Sequence, residues 1–276
     1  MCGWLSYGQA TMEHPLIQTW SASYVGLSYV IATLTSFISL ELAGRAGRAQ
    51  AIGSGHFWQI AQALLLGYGI WAMHFIGMLA LHSNMPSTFE LLPTALSGLA
   101  AVALVYPALR ILHAGPLTLG RLALAGAVAG SGISAMHYLG MAAYRIPGTT
   151  VELVWAPLLA SVAIAVGASM VALLLFGLLA SSWAAQQKRA TLYGAKALAA
   201  LVMGVAITGM HYTGMAALHY VIDPNAEPSR MAAHGADPSL LALVVGVVTF
   251  LLLGLAVTSI AMDTGESTAH LDAATG

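Results

Sequence analysis

A six-residue pattern of methionine, histidine and glycine occurs three times in this sequence and carries its most chemically useful side chains. The copies are Met73-His-Phe-Ile-Gly-Met78, Met136-His-Tyr-Leu-Gly-Met141 and Met210-His-Tyr-Thr-Gly-Met215, and an alanine follows each at the same offset (Ala80, Ala143, Ala217). Residues four apart share one face of a helix. Each copy therefore presents a histidine and its second methionine on one stripe, with the first methionine beside them. The intervening glycine allows another helix or a ligand to approach closely.

Imidazole and thioether groups together form a donor set suited to copper. Methionine sulfur is a soft ligand that selects Cu(I), and imidazole suits copper in either oxidation state. Magnesium and calcium require carboxylate oxygens, which the motifs lack. A haem with histidine or methionine as an axial ligand is the second candidate cofactor. The predicted metal ligands are His74, His137, His211, Met73, Met78, Met136, Met141, Met210, Met215 and His14, which precedes the first apolar segment.

The composition of the chain excludes a soluble protein. Of 276 residues, 59% are hydrophobic and 7% are charged, and the mean hydropathy is +0.82, whereas soluble domains carry about 25% charged residues. The net charge of −1 offers no basic surface for nucleic acid. A single cysteine excludes a disulfide framework and multi-cysteine metal sites. The sequence therefore indicates an integral protein of the lipid bilayer.

Seven apolar segments are long enough to cross a bilayer, which takes about 20 residues. They cover roughly residues 21–42, 57–81, 91–112, 119–143, 154–180, 193–219 and 239–262. Each motif lies near the end of an even-numbered segment, so the repeated unit is a helix pair. The pairs lie at about 21–81, 91–143 and 154–219, with a seventh helix appended. We predict an all-α membrane protein with one seven-helix domain at 12–262 and a short polar cytoplasmic tail at 263–276.

Basic residues predict the orientation, because lysine and arginine favour cytoplasmic loops. Two of them, Arg145 and Arg230, follow the even-numbered segments. Seven follow the odd-numbered segments: Arg45, Arg48, Arg110, Arg121, Lys188, Arg189 and Lys196. We therefore expect the N-terminus outside and the C-terminus in the cytoplasm.

The motifs then lie in the outer half of the membrane, about 10 Å deep, where three imidazoles could converge on one centre. His82 and His219, each eight residues after a motif histidine, would continue the same helix face toward the outer rim. Glu41, at the cytoplasmic end of the first segment, is expected to snorkel to the interface.

The triplicated motif in a seven-helix chain resembles the MHYT domain of bacterial integral membrane sensors, over about residues 12–262. The resemblance implies a multi-pass protein of the bacterial inner membrane with a copper site near the outer face. Its ligands would be the first methionine and the histidine of each copy, with His14 at the family's usual place before the first helix. Tyr138 and Tyr212 would neighbour the cofactor, whereas Phe75 departs from the motif.

The resemblance also implies sensing of oxygen, carbon monoxide, nitric oxide or redox state. Family members often carry cytoplasmic GGDEF and EAL domains that make and break cyclic di-GMP. This sequence contains neither, so we expect the signal to pass to a cytoplasmic partner protein.

Other function classes are weaker interpretations of the same residues. A copper-binding transporter or carrier would need further soft ligands toward the cytoplasm, where Met170 and Met203 are candidates that do not repeat. An enzyme is not expected, because no nucleophile–base pair or carboxylate cluster is present. A retinal protein needs a lysine in the seventh helix, and residues 239–262 contain none.

Overall fold

A computed structural model describes residues 16–49, 55–179, 181–223 and 235–275, which form eight helices and six short strands. Seven of the helices are long and apolar enough to cross a membrane, which confirms the predicted number of spanning segments. Large apolar side chains such as Phe250, 79% exposed, remain on the outer surface, where lipid would cover them. The helices are α1 (Ala22–Ala49), α2 (Gly55–Met78), α3 (Leu91–His113), α4 (Leu119–Ala143), α5 (Trp155–Leu179), the four-residue α6 (Ser182–Ala185), α7 (Arg189–Met215) and α8 (Pro238–Thr275).

Six long helices form a closed ring, and the three motif helices line its centre. Each of α1, α2, α3, α4, α5 and α7 contacts the next in that order, and α7 returns to α1. The motif helices α2, α4 and α7 also contact one another. The pairs α1–α2, α3–α4 and α5–α7 therefore occupy equivalent places around a pseudo-threefold axis. The last long helix, α8, packs outside the ring against α2 and α1 and continues through the segment predicted as a polar tail.

A two-stranded antiparallel ribbon closes the motif end of each helix pair. The strand before the pair bonds to the strand after it, and these strands were not predicted from the sequence. The ribbons are β1 (Gln18–Trp20) with β2 (Leu81–Ser83), β3 (Thr88–Phe89) with β4 (Tyr144–Arg145), and β5 (Thr149–Leu153) with β6 (Leu218–Ile222).

The ribbons shorten two of the predicted segments. Helices α2 and α7 end at Met78 and Met215, before the predicted ends at 81 and 219. His82 and His219 consequently lie in β2 and β6 and are exposed. The prediction that they continue the helical stripe of the motif histidines is wrong, because the chain leaves the helix before reaching them.

The alanine that follows each motif has a structural role at the junction between helix and ribbon. All three alanines are completely buried. The carbonyl oxygen of each accepts a hydrogen bond from the backbone N–H at the start of its own pair, which ties the two ends of the pair together. The bonds are Ser21 to Ala80 (2.8 Å), Glu90 to Ala143 (2.9 Å) and Val154 to Ala217 (2.8 Å).

Charged side chains at the opposite end of the bundle are buried between helices. The carboxylate of Glu41 on α1 lies 2.8 Å from the ammonium of Lys196 on α7, with the side chains 14% and 7% exposed. The prediction that Glu41 snorkels is therefore wrong, because α7 supplies a cation at its own depth. Arg45 donates to the carbonyl oxygen of Ile260 at 2.9 Å and so fastens α8 to α1.

Candidate metal centre

The three motif histidines meet at the centre of the bundle. His74, His137 and His211 are each at most 1% exposed. Nδ1 of His74 lies 3.0 Å from Nδ1 of His211 and 3.2 Å from Nδ1 of His137. The ring centroids are 4.9 to 5.3 Å apart and the ring planes cross at 81° to 89°. The convergence predicted from the repeat is therefore present, with the Nδ1 atoms facing one another.

The spacing of these nitrogens suits a metal ion. Imidazole nitrogens bind metals such as zinc at about 2.0–2.1 Å, so three of them around one ion lie about 3.4 Å apart. The two closest Nδ1 separations, 3.0 and 3.2 Å, approach that value, and all three ligand atoms lie within 4.8 Å of one another. The buried triad could therefore hold a metal ion.

At 3.0 and 3.2 Å the Nδ1 atoms can share either a proton or a cation, depending on which nitrogen of each ring carries its proton. A neutral imidazole carries its proton on one nitrogen only. With the protons on Nε2, three Nδ1 lone pairs face one another in a buried space. A bound cation turns that unfavourable arrangement into a favourable one, because each lone pair then has an acceptor.

The motif glycines are the surfaces against which the imidazoles pack. A Cβ added at Gly77 would lie 2.5 Å from Nε2 of His211, and one added at either of the other two would also overlap an imidazole. Only glycine leaves room for the rings at these positions. The contacts run in one cyclic direction, from His74 to Gly140, from His137 to Gly214 and from His211 to Gly77. Each imidazole thus touches the backbone of the next motif helix.

The six motif methionines are buried on the same three helices, at 1% to 5% exposure. Their predicted role as ligands stays a prediction. His14 lies outside the described residues. The methionines are Met73, Met78, Met136, Met141, Met210 and Met215.

In two of the motifs, the tyrosine that follows the histidine forms a hydrogen bond with a serine on the neighbouring helix. The hydroxyl of Tyr138 lies 2.6 Å from Oγ of Ser161, and that of Tyr212 lies 3.0 Å from Oγ of Ser28. Each serine donates its own proton to a backbone carbonyl three residues earlier, so the tyrosines are the donors. The rings of both tyrosines border the triad, at 4.8 and 4.7 Å from the adjacent imidazoles, while their hydroxyls bond to serine.

The first repeat keeps the same serine contact by a different donor. Phe75 has no hydroxyl, and Nε1 of Trp71, one turn earlier on α2, donates to Oγ of Ser97 at 3.0 Å. Ser97 is fully buried, as are its counterparts on α1 and α5. These serines were not predicted from the sequence, although they stand at equal distances after the starts of the three helix pairs.

Comparison with known proteins agrees with the repeated architecture. The sequence profile of the MHYT repeat, described as a bacterial signalling protein N-terminal repeat, matches residues 67–125, 130–186 and 204–269. Each match begins upstream of a motif histidine. No solved structure matches the chain.

Three curated relatives carry the same region. The chain is 39% identical over 255 residues to the bifunctional diguanylate cyclase/cyclic di-GMP phosphodiesterase MucR of Pseudomonas aeruginosa, covering 90% of this chain and 35% of that protein. It is 34% identical over 241 residues to the signaling protein YkoW of Bacillus subtilis (85% and 29% covered). It is 35% identical over 245 residues to the cyclic di-GMP phosphodiesterase NbdA of Pseudomonas aeruginosa (87% and 30% covered). The chain thus spans about a third of the length of these relatives. With three matched repeats and the motif histidines joined in one buried cluster, the chain belongs to the MHYT family of bacterial signalling proteins.

Proposed function

We propose that this chain is a multi-pass sensor of the bacterial inner membrane that binds copper in its histidine triad. The bound metal would respond to oxygen, carbon monoxide or nitric oxide, or to redox state. The observation that carries this proposal is the meeting of three buried imidazoles, one from each repeat, with their Nδ1 atoms turned inward. Membership of a signalling family supports the sensory role.

The donor set favours copper over zinc and haem. Three imidazoles alone suit zinc as well as copper. The buried methionines on the same helices shift the preference toward copper, because thioether sulfur is a soft donor. Rings with centroids only 4.9 to 5.3 Å apart leave no space for a porphyrin between them, which argues against haem.

The orientation follows from the basic residues, with the N-terminus outside and the motifs near the outer face. His74 stands one turn before the end of α2, so it lies about 6 Å from the helix end. The three ribbons lie between the triad and the exterior.

The contact of each imidazole with the next helix supplies a route for a signal. If a metal were held by the three imidazoles, a ring that shifted with it would press on, or withdraw from, a glycine of another motif helix. Where a helix interface has two packing arrangements of similar energy, such a small shift can move the helices from one arrangement to the other. Helix α8 can receive the movement from α2, since the hydroxyl of Tyr68 donates to the carbonyl oxygen of Val245 at 3.0 Å.

The output would be directed at a cytoplasmic signalling partner. Two relatives are named as enzymes of cyclic di-GMP metabolism, and the region shared with this chain is about a third of their length. We infer that the helical domain regulates an activity of that class.

A copper transporter or carrier is the alternative function. Met203, buried at 4% exposure two turns before His211, is the observation in its favour. Against it, the residues at the place of Met203 in the other two repeats are Leu66 and Ala129, which offer a metal cation no ligands. These apolar positions favour a sensor over a transport path.

Metal analysis of the purified protein in lipid nanodiscs tests the proposal. A variant with His74, His137 and His211 all changed to Ala should lose the copper that the wild type retains. The matched control changes three exposed histidines, His56, His82 and His219, to Ala and should keep it. Equal copper in both triple variants would refute the metal site. Copper uptake into proteoliposomes would identify the protein as a transporter instead.

A further inference from the structure

A cavity of about 50 Å³ lies in the centre of the bundle on the cytoplasmic side of the triad. The residue four positions before each triad histidine is an isoleucine, and all three isoleucines line this cavity: Ile70, Ile133 and Ile207. The residues eight positions before the histidines line it as well: Leu66, Ala129 and Met203. The cavity thus lies one and two helical turns below the histidines, and residues of all three motif helices line it.

The lining makes the cavity a poor site for water. Its walls are aliphatic, aromatic and thioether groups, and Ser169 supplies the single hydroxyl among the lining side chains. A water molecule needs two to four polar partners, and apolar cavities stay dry while accepting xenon or benzene. A cavity needs roughly 10–15 Å³ to hold one water molecule, so about 50 Å³ has room for a small molecule.

The cavity lies next to the triad within the part of the bundle that lipid surrounds. The histidines are at most 1% exposed, and the ribbons cover the outer end. The cavity lining includes Met210, the residue before His211, and the three isoleucines one turn below the histidines. Small, partly buried residues of α5 and α7, Ala168, Ala172 and Ala206, stand between the cavity and the outer surface.

We propose that this cavity is a docking site for an apolar diatomic gas that enters from the bilayer between α5 and α7. Apolar solutes move favourably from water into hydrocarbon, so the membrane supplies such a gas directly to this wall. From the cavity the gas meets the triad on its cytoplasmic side, past the three isoleucines. The inference rests on the proposed gas-sensing function and adds where the ligand binds first and how it arrives.

Xenon tests the cavity without any metal. We expect metal-free wild type in nanodiscs to show saturable xenon binding in ¹²⁹Xe NMR. Ala129→Leu and Ala165→Leu fill the cavity from α4 and α5 and should each abolish the saturable signal. Ala127→Leu, on the exposed face of α4, is the matched control and should retain it. Helix content and copper stoichiometry identify a variant that has lost its fold. If one filling variant is lost in this way, xenon binding to the other still tests the proposal.

A second measurement connects the cavity to the triad. In copper-loaded protein, carbon monoxide should associate more slowly with Ala129→Leu than with Ala127→Leu at equal copper content. Absence of saturable xenon from the wild type, or its persistence in the folded filling variants, overturns the proposal. If xenon binds as expected but no gas acts on the copper protein, the sensing function fails and the cavity remains a binding site for apolar gas.

Discussion

The motif glycines allow the histidine triad to be disturbed without touching a histidine. We expect Gly77→Ala to abolish tight metal binding while the protein still folds. The new Cβ would lie 2.5 Å from Nε2 of His211, and ordinary contact begins at 3.4 Å, so the imidazole must retreat by about 0.9 Å (3.4 − 2.5). Metal–ligand distances must hold within about 0.2 Å, so His211 can no longer share an ion with the other two.

The expected change in stability is small by comparison. Overpacking a buried site costs about 1–3 kcal/mol. Replacing glycine by alanine inside a helix returns about 0.5–1 kcal/mol. Removing a hydrogen-bond partner of a metal ligand weakens metal binding roughly 10–100-fold. Displacing one of the three ligands themselves should weaken it by more than that.

Competition titration of copper(I) against a chromophoric chelator measures the binding, and thermal unfolding of the metal-free protein measures the fold. Gly209→Ala is the matched control, since it lies on α7 and nothing stands within 4 Å of its added Cβ. We expect it to bind copper like the wild type and to gain about 0.5–1 kcal/mol in stability. A Gly77→Ala protein with undiminished copper affinity would show that the inward-facing imidazoles do not hold the metal together.

Three further predictions concern the surrounding structure. Lys196→Met should destabilise the bundle by about 3–5 kcal/mol in detergent unfolding, because it leaves Glu41 buried without its cation, and adding Glu41→Leu should recover most of that loss. Ser161→Ala should cost about 1–3 kcal/mol by the same assay, since the hydroxyl of Tyr138 loses its acceptor, and pairing it with Tyr138→Phe should remove most of this cost. Burial raises the pKa of Tyr220 in the folded protein. The stability that the protonated phenol contributes is therefore complete below about pH 10 and is lost as the pH rises toward the folded-state pKa. The variant Tyr220→Phe, which cannot ionise, should unfold at higher pH than the wild type in an alkaline titration.

The helices could be predicted from sequence because apolar length is a direct signal of a membrane span. Helix α4 begins and ends at the predicted residues, 119 and 143. The ribbons β1–β2 and β3–β4 could not be predicted in this way, since their strands contain only two or three residues each and leave no alternating pattern to detect. For the same reason the stripe beyond Met78 was extended into β2.

The meeting of the histidines could be predicted because the motif repeats on equivalent helices. The direction in which each ring turns could not, since it depends on which neighbouring helix presents its glycine. Comparing the motifs also could not show that, in the first repeat, a tryptophan replaces the tyrosine as the donor to the serine. Phe75 lacks a hydroxyl, but the substitute donor, Trp71, lies outside the six-residue pattern. Lys196, the partner of Glu41, is 155 residues away in the sequence. An ion pair between residues so far apart leaves no local sequence pattern from which to predict it.

Closure of the ring by α7 against α1 has a consequence for biosynthesis. The first and last repeats must both have left the ribosome before this contact forms, and His211 belongs to the last. A nascent chain halted after α4 therefore has two of the three imidazoles and no closed wall around them. The three imidazoles can therefore meet only after insertion of the sixth spanning helix, α7, while the last spanning helix, α8, is still to follow.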